Sequence, residues 1–225
     1  MKVLSSLAIK AAYLELAPAF ERQSRQKLAT EWAGTADIRK RMLAGETADA
    51  VIGPAALIDD LTRIGSLDSR SRIDLAKSGV GAAVRAGAPK PDIRSVEALK
   101  GALRAAKSIV YSSGPSGVYI AELLQRLGIA DELKAKAKQA PPGVLVGELV
   151  ARGQFELCFQ QLPELRQVSG IDYVGPLPPD VQIITLFSGG VHSKTAQAKT
   201  AKAWLRFLAS RDAAPVMRKH GLEPA

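Results

Sequence analysis

The chain has 225 residues, 47% of them hydrophobic and 24% charged, which suffices for one large domain or two lobes with cores of their own. Its net charge of +9 raises nucleic acid as a partner, but only 5% of residues are aromatic, too few for a base-stacking platform, and the basic residues are scattered, as at Arg39, Lys40, Arg41, Lys134, Lys136 and Lys138. One cysteine, Cys158, excludes an internal disulfide, and the two histidines, His192 and His220, belong to no close-spaced metal-ligand set.

No apolar run reaches the ~18 residues that suggest a membrane span. Met1 leads at once into a strand-like segment and not into a leader. The expectation is a periplasmic location if a leader was trimmed, and a cytoplasmic one otherwise.

Strand-like and helix-like segments alternate along the chain. Lys2–Ser6 precedes a helix whose apolar face carries Ile9, Tyr13, Leu16 and Phe20 at helical spacing, with Pro18 as an expected kink. Lys27–Trp32 reads as a strand, Asp37–Ala44 as a helix stopped by Gly45, Ala48–Gly53 as a short buried strand and Ile58–Ile64 as a helix. Gly79–Arg85 is a strand, and Ser95 caps a helix. Ser108–Tyr111 is a strand, and Val118–Leu127 a helix closed by Gly128. Val144–Arg152 is a helix closed by Gly153, Phe155–Gln160 a strand around Cys158, Asp180–Phe187 strand-like, and Ala196–Ala209 a helix. The segments Gly87–Pro91 and Gly175–Pro179 read as rigid loops. This alternation predicts α/β layers with mostly parallel sheets, whose ligands sit beyond the carboxyl ends of the strands.

At two of those ends stand small hydroxyl and glycine residues: Ser5 and Ser6, and Ser112 to Gly117. A helix origin offers unpaired N–H groups and a partial positive charge, so each of these is a candidate seat for an anion. The plain alternative for any one serine is an ordinary helix cap. Cys158 reads as a buried structural thiol. Gly79-x-Gly81 lacks the third glycine of a dinucleotide fingerprint, and the run from Gly190 to Thr195 lacks the first glycine of a phosphate loop.

Taken in order, several segments resemble the type II periplasmic solute-binding fold, most closely its molybdate-binding branch. They are Ser5-Ser6-Leu7; Gly34-Thr35-Ala36 followed by Arg39, Ala44-Gly45 and Ala48-Asp49-Ala50; Pro115-Ser116-Gly117-Val118-Tyr119; Val150 to Gly153; and Phe207 to Ser210 with His220-Gly221-Leu222. The resemblance implies two lobes, each a mostly parallel sheet flanked by helices, joined by two crossover strands, Gly79–Arg85 and Ile183–Gly189. Lobe one would comprise residues 1–82 and 188–225, and lobe two residues 83–187.

Carried over residue by residue, the resemblance implies ligand groups in an interlobe cleft at Ser5, Ser6, Gly34, Thr35, Ala36, Ser113, Ser116, Gly117, Val118, Gly143 and Val144. Where the branch has a tyrosine near the end of a lobe-two strand, this chain has Gln160 and Gln161. An amide both donates and accepts, which suits an organic carboxylate at least as well as a metal oxyanion. The resemblance implies a monomer with a small anionic ligand and ABC-transporter membrane subunits as partners, and no cofactor, metal, nucleic acid or membrane insertion. Some proteins similar to this branch isomerise unsaturated polycarboxylates such as aconitate, which sets allylic isomerisation beside anion binding. For that chemistry the candidates are Arg85 as a carboxylate clamp, Glu148 and His192. The plain readings are a hinge ion pair for Arg85, surface glutamates for Glu148 and Glu164, and a surface-loop histidine for His192.

Overall fold

The computed structural model describes residues 1–225. In chain order, β1 (Lys2–Ser6) passes through a 3-10 turn (Leu7–Ile9) into α1 (Lys10–Ser24), followed by β2 (Ala29–Ala33), α2 (Thr35–Leu43), β3 (Ala50–Pro54), α3 (Ala55–Arg63) and the long β4 (Ile73–Arg85). Next come α4 (Val96–Ala105), β5 (Ile109–Tyr111), α5 (Pro115–Arg126), α6 (Ala130–Leu133), β6 (Ala137–Gln139), α7 (Val146–Ala151), β7 (Leu157–Gln161), α8 (Leu162–Arg166) and β8 (Ile171–Pro176). A second 3-10 turn (Pro179–Val181) leads to β9 (Ile184–Val191), α9 (Ala198–Leu208), α10 (Ala214–Lys219) and β10 (Glu223–Pro224). Two compact units result: Met1–Ser78 with Thr185–Ala225, and Gly79–Ile184.

In the first unit β1 runs parallel to both β2 and β3, and β9 lies antiparallel to β3. Side chains alternate across β1. Val3 packs into a cluster with Ile9, Tyr13, Phe20, Trp204 and Leu208, while Leu4 packs on the other face with Ile38, Met42, Ile58 and Leu61. Burial on both faces is the mark of a parallel sheet covered by helices. Trp204 is fully buried, edge-on to Tyr13 at 4.7 Å between ring centroids, and such a side chain contributes a few kcal/mol by burial. The helix α1 continues through Pro18, because Pro18 and the preceding turn at Leu14 are solvent-exposed and the carbonyl left without its N–H partner can take water.

In the second unit β5 runs parallel to β6 and β7, and β4 and β8 are antiparallel additions, β4 pairing with both β7 and β8. Ile109, Leu157 and Phe159 face one cluster, while Val110 and Cys158 face another with Val146 and Leu165. The Cys158 thiol is buried against the Ala83 carbonyl and pushed up to about 12, as expected of a structural thiol.

The structure departs from the sequence reading at short or irregular elements. The strands β6 and β8 and the helix α8 are absent from that reading, and Gly175 belongs to β8 and not to a loop. The strand expected from Asp180 begins only at Ile184, because the prolines at 178 and 179 set up the 3-10 turn. Conversely, β4 starts six residues before Gly79, through the polar stretch Asp74, Lys77 and Ser78.

Candidate anion-binding site

In the first unit, three parallel strands end along one edge. Ser6 is in register with Ala33, and Ser5 with Ile52. Each strand hands over to a helix origin: the 3-10 turn and α1 after Ser6, α2 after Gly34, and α3 after Pro54. The first-turn N–H groups of a helix have no acceptor inside it. In α2 these include Thr35 and Ala36, with Gly34 as the N-cap residue. Ser6 is only 4% exposed. Its hydroxyl neither caps the turn that follows nor finds any other partner. Ser5 is fully buried, and its hydroxyl donates to the Ser6 carbonyl at 3.3 Å. In this arrangement the Ser5 proton is directed at its own loop and not at the open edge.

His192 lies at the opposite edge of this unit's sheet. Its N–H donates to the Asp49 carbonyl, and Asp49 in turn accepts from the Lys2 amide at the start of β1. The four steps from Lys2 to Ser6 span about 13 Å of strand. The His192 ring is buried and accepts from the Lys194 amide at 3.2 Å. Burial, and then Lys194, hold its basicity below the usual histidine range. The surface-loop reading of His192 is corrected: the ring is buried, at the edge opposite the Ser6 turn.

In the second unit the carboxyl ends of β6, β5 and β7 likewise share an edge, with Tyr111 in register with Gln139 and Phe159. After β5 the chain turns through Ser112, Ser113 and Gly114 into α5. The Ser112 and Ser116 hydroxyls bond one another at 2.9 Å, both buried. The Gly117 and Val118 amides both donate to the Gly114 carbonyl, at 2.9 and 3.1 Å. Both amides are engaged within the turn, and the Val118 side chain is exposed. Gly117 is required by its own loop, since a Cβ there would stand 1.5 Å from the Ser112 carbonyl oxygen. Ser113 stands partly exposed beside this turn.

Gly143 adopts φ +79° in a reverse turn closed by the Val144 amide donating to the Pro141 carbonyl at 3.3 Å. That bond takes Val144's N–H out of the expected donor set. Gln160 is a further correction. Its carbonyl oxygen accepts the Val146 amide at 2.9 Å, and its side chain also bonds Glu164. Its amide is thus committed to bracing the start of α7 against α8. Gln161 is buried and stands as the N-cap residue of α8.

Glu164 differs from the surface glutamate expected. It sits in the first turn of α8, partly buried, and its carboxylate takes hydrogen bonds from the Gln160 side chain and the Gln161 backbone. Burial pushes this carboxyl up to about 7 against the opposing pull of those two bonds. The spacing from Gln161 to Glu164 supplies one half of the capping arrangement, in which the third helical residue reaches back to the cap amide, while the Gln161 side chain makes no cap bond in return; that spacing is a signal present in the sequence. Tyr173 also went unnoticed. Its ring occupies the space a side chain at Gly81 would take, 2.6 Å from that notional Cβ, and Gly81 pairs with Gln160.

Arg85 and Glu148 lie elsewhere. Arg85 ends β4 opposite Ile171, next to Val84, which pairs with Leu157 at the start of β7. Four strand steps, about 13 Å, separate it from Gly81 and the Gln160 edge. It lines a recess of about 430 Å³ with Pro89, Ala102 and Phe155. That position sets the candidate clamp apart from the Gln160 edge. Glu148 is exposed and pairs with Arg152 at 3.1 Å, one helical turn on, as its plain reading anticipated.

Comparison with known proteins accords with this arrangement of strand ends and helix origins. A family described as "Bacterial extracellular solute-binding protein" matches residues 1–223. The chain is 41% identical over 230 aligned positions to an aconitate isomerase from Pseudomonas sp, covering 100% of this chain and 87% of that protein. Its fold is similar to that of the periplasmic molybdate-binding protein of Azotobacter vinelandii, with a TM-score of 0.82 at 17% identity over 99% of this chain and 98% of the other. It is also similar to the sulfate-binding protein SubI from Mycobacterium tuberculosis H37Rv, with a TM-score of 0.81 at 19% identity over 100% of this chain and 86% of the other. The α/β fold of type II binding proteins, expected from the ordered serine and glycine turns, is thereby established, and the chain belongs to the bacterial extracellular solute-binding protein family.

Proposed function

We propose that this protein binds a small polycarboxylate of the aconitate class through hydroxyl and N–H donors. The observation that carries the proposal is Ser6, a buried hydroxyl without a partner beside the origins of α1 and α2. A buried hydroxyl left unbonded costs about 1–3 kcal/mol, and an anion oxygen arriving there recovers it. Within the first unit the candidate donors are Ser6, Gly34, Thr35 and Ala36; within the second they are Ser113, the Ser116 amide, the Gly143 turn and Gln161. Dispersed dipoles hold an anion without a full counter-charge and let it leave. The Gln160 amide no longer argues for a carboxylate, since it is occupied; the class of anion rests on the aconitate isomerase relative. As a periplasmic single chain the protein would hand its ligand to an ABC-type membrane transporter.

A thermal-shift panel tests this, because a ligand selective for the native state raises the melting temperature. Aconitate and citrate are expected to raise it saturably. A response to molybdate or sulfate alone would replace the carboxylate with an inorganic oxyanion, and no response to any of them would overturn the reading. A second reading, isomerisation of the bound acid, is favoured by the same relative, matched over 87% of its length. Its test is the ultraviolet absorbance of cis- and trans-aconitate during incubation.

A further inference from the structure

An allylic isomerisation moves one proton between two carbons and needs a group that can take it and return it near neutral pH. Five titratable groups on or beside the two sheets do not meet that need. Cys158 faces the Ala83 carbonyl inside the sheet. His192 and Arg85 stand at the wrong ends of their sheets. Glu148 is held by Arg152, and Asp37 in the first turn of α2 is exposed and lies 4.0 Å from Arg41.

Glu164 remains. It follows β7 at the edge where the Ser112–Gly117 turn also emerges, and it keeps part of its surface open. Its two hydrogen-bond donors, the Gln160 amide and the Gln161 backbone N–H, are both neutral. They fix the carboxyl without pinning it in the ionised state, as an arginine would. Resting on the isomerase reading, we infer that Glu164 is the proton-transferring group for an aconitate-like substrate. Its carboxylate takes a proton from the substrate methylene. The C–H electron pair becomes the new C=C bond, and the old C=C pair moves to the far carbon, delocalised into that carbon's carboxylate. The protonated Glu164 then delivers the proton to that far carbon. The double bond has moved, cis and trans forms interconvert, and no oxidant or co-reactant is consumed. A carboxyl held near neutrality serves both halves of this exchange.

The test uses the intact protein and E164Q, which keeps the side chain's size and one acceptor oxygen but cannot titrate. Cis-aconitate conversion should fall by about 100-fold or more in E164Q, with the melting-temperature rise on adding aconitate retained. In deuterium oxide the wild type should wash label into the aconitate methylene and E164Q should not. E164D, which keeps the carboxyl on a shorter arm, should recover part of the rate. A purely structural role would instead lower stability and aconitate binding together. An E164Q protein that isomerises and exchanges label at the wild-type rate overturns the assignment alone. A wild type that binds aconitate without converting it overturns both the assignment and the isomerase reading.

Discussion

The two units present the same motif, small residues between a strand end and a helix origin, and use it in opposite ways. At Ser6 the hydroxyl is buried and uncommitted. At Ser116 the hydroxyl is equally buried but bonded to Ser112, and the next two amides are bonded to Gly114. Gln160, the residue that most distinguished the second unit in sequence, is likewise engaged with Val146 and Glu164. A serine before a helix therefore says little about binding until its own hydrogen bonds are counted.

The largest expected effect is at Gly117. Alanine there would place a Cβ 1.5 Å from a backbone oxygen, which no side-chain rotation relieves. The loop must shift, at a cost of about 3 kcal/mol or more, read as a lower urea midpoint. The turn from Ser5 to Ile9 contains no glycine and has no such constraint, so an undisturbed midpoint would erase this contrast between the units.

Next is Gln160→Ala, which strands the Val146 amide and removes a donor from Glu164. The expected loss is about 2 kcal/mol, with the Glu164 carboxyl moving further up. That carboxyl already lies above its ordinary 4.5, at about 7. The folded state thus binds more protons than the unfolded one between those values, and this group's contribution to stability falls as pH rises from about 4.5 through about 7. Denaturation across that range should show a shallower fall in E164Q than in the wild type. Equal slopes would mean the carboxyl is not desolvated.

What was legible in the sequence follows the physics of each feature. Helical spacing located α1 and α9, because their apolar faces at Tyr13, Leu16, Trp204 and Leu208 repeat over several turns. Short elements such as β6 and α8 offer too few residues for any period to emerge. The helix origins were legible because serine and glycine there have local causes. Whether Gln160 and Glu164 face solvent was not, since that depends on how α7 and α8 pack around β7, and the α7 partner of Gln160, the Val146 amide, lies fourteen residues away in sequence.

A paired substitution sharpens the contrast between Ser6 and Ser116. Ser116→Ala leaves the Ser112 hydroxyl buried without its partner and should cost about 1 kcal/mol. Ser6→Ala removes a hydroxyl that has no partner to lose, so stability should hold or rise by up to about 1 kcal/mol. Anion affinity should behave the other way, dropping roughly tenfold for Ser6→Ala in calorimetry, since one charge-assisted hydrogen bond is lost. If Ser6→Ala loses stability and keeps affinity, the free hydroxyl has been misread.

The smallest effect belongs to Arg85, and its smallness is informative. A guanidinium is the usual clamp for a carboxylate, and the sequence offers Arg85 as a candidate for that role beside the plain reading of a hinge ion pair. In the folded chain Arg85 pairs across to Ile171, and its side chain reaches toward Gly153, at the end of the sheet remote from Gln161 and the Ser112 turn. An exposed charge about 13 Å away along the strands acts on an anion only through solvent and is screened over a Debye length of similar size. Arg85→Ala should therefore leave aconitate affinity within about twofold at physiological salt. A loss as large as that of Ser6→Ala would place the anion near Arg85 and move the binding edge of the second unit to the opposite end of its sheet.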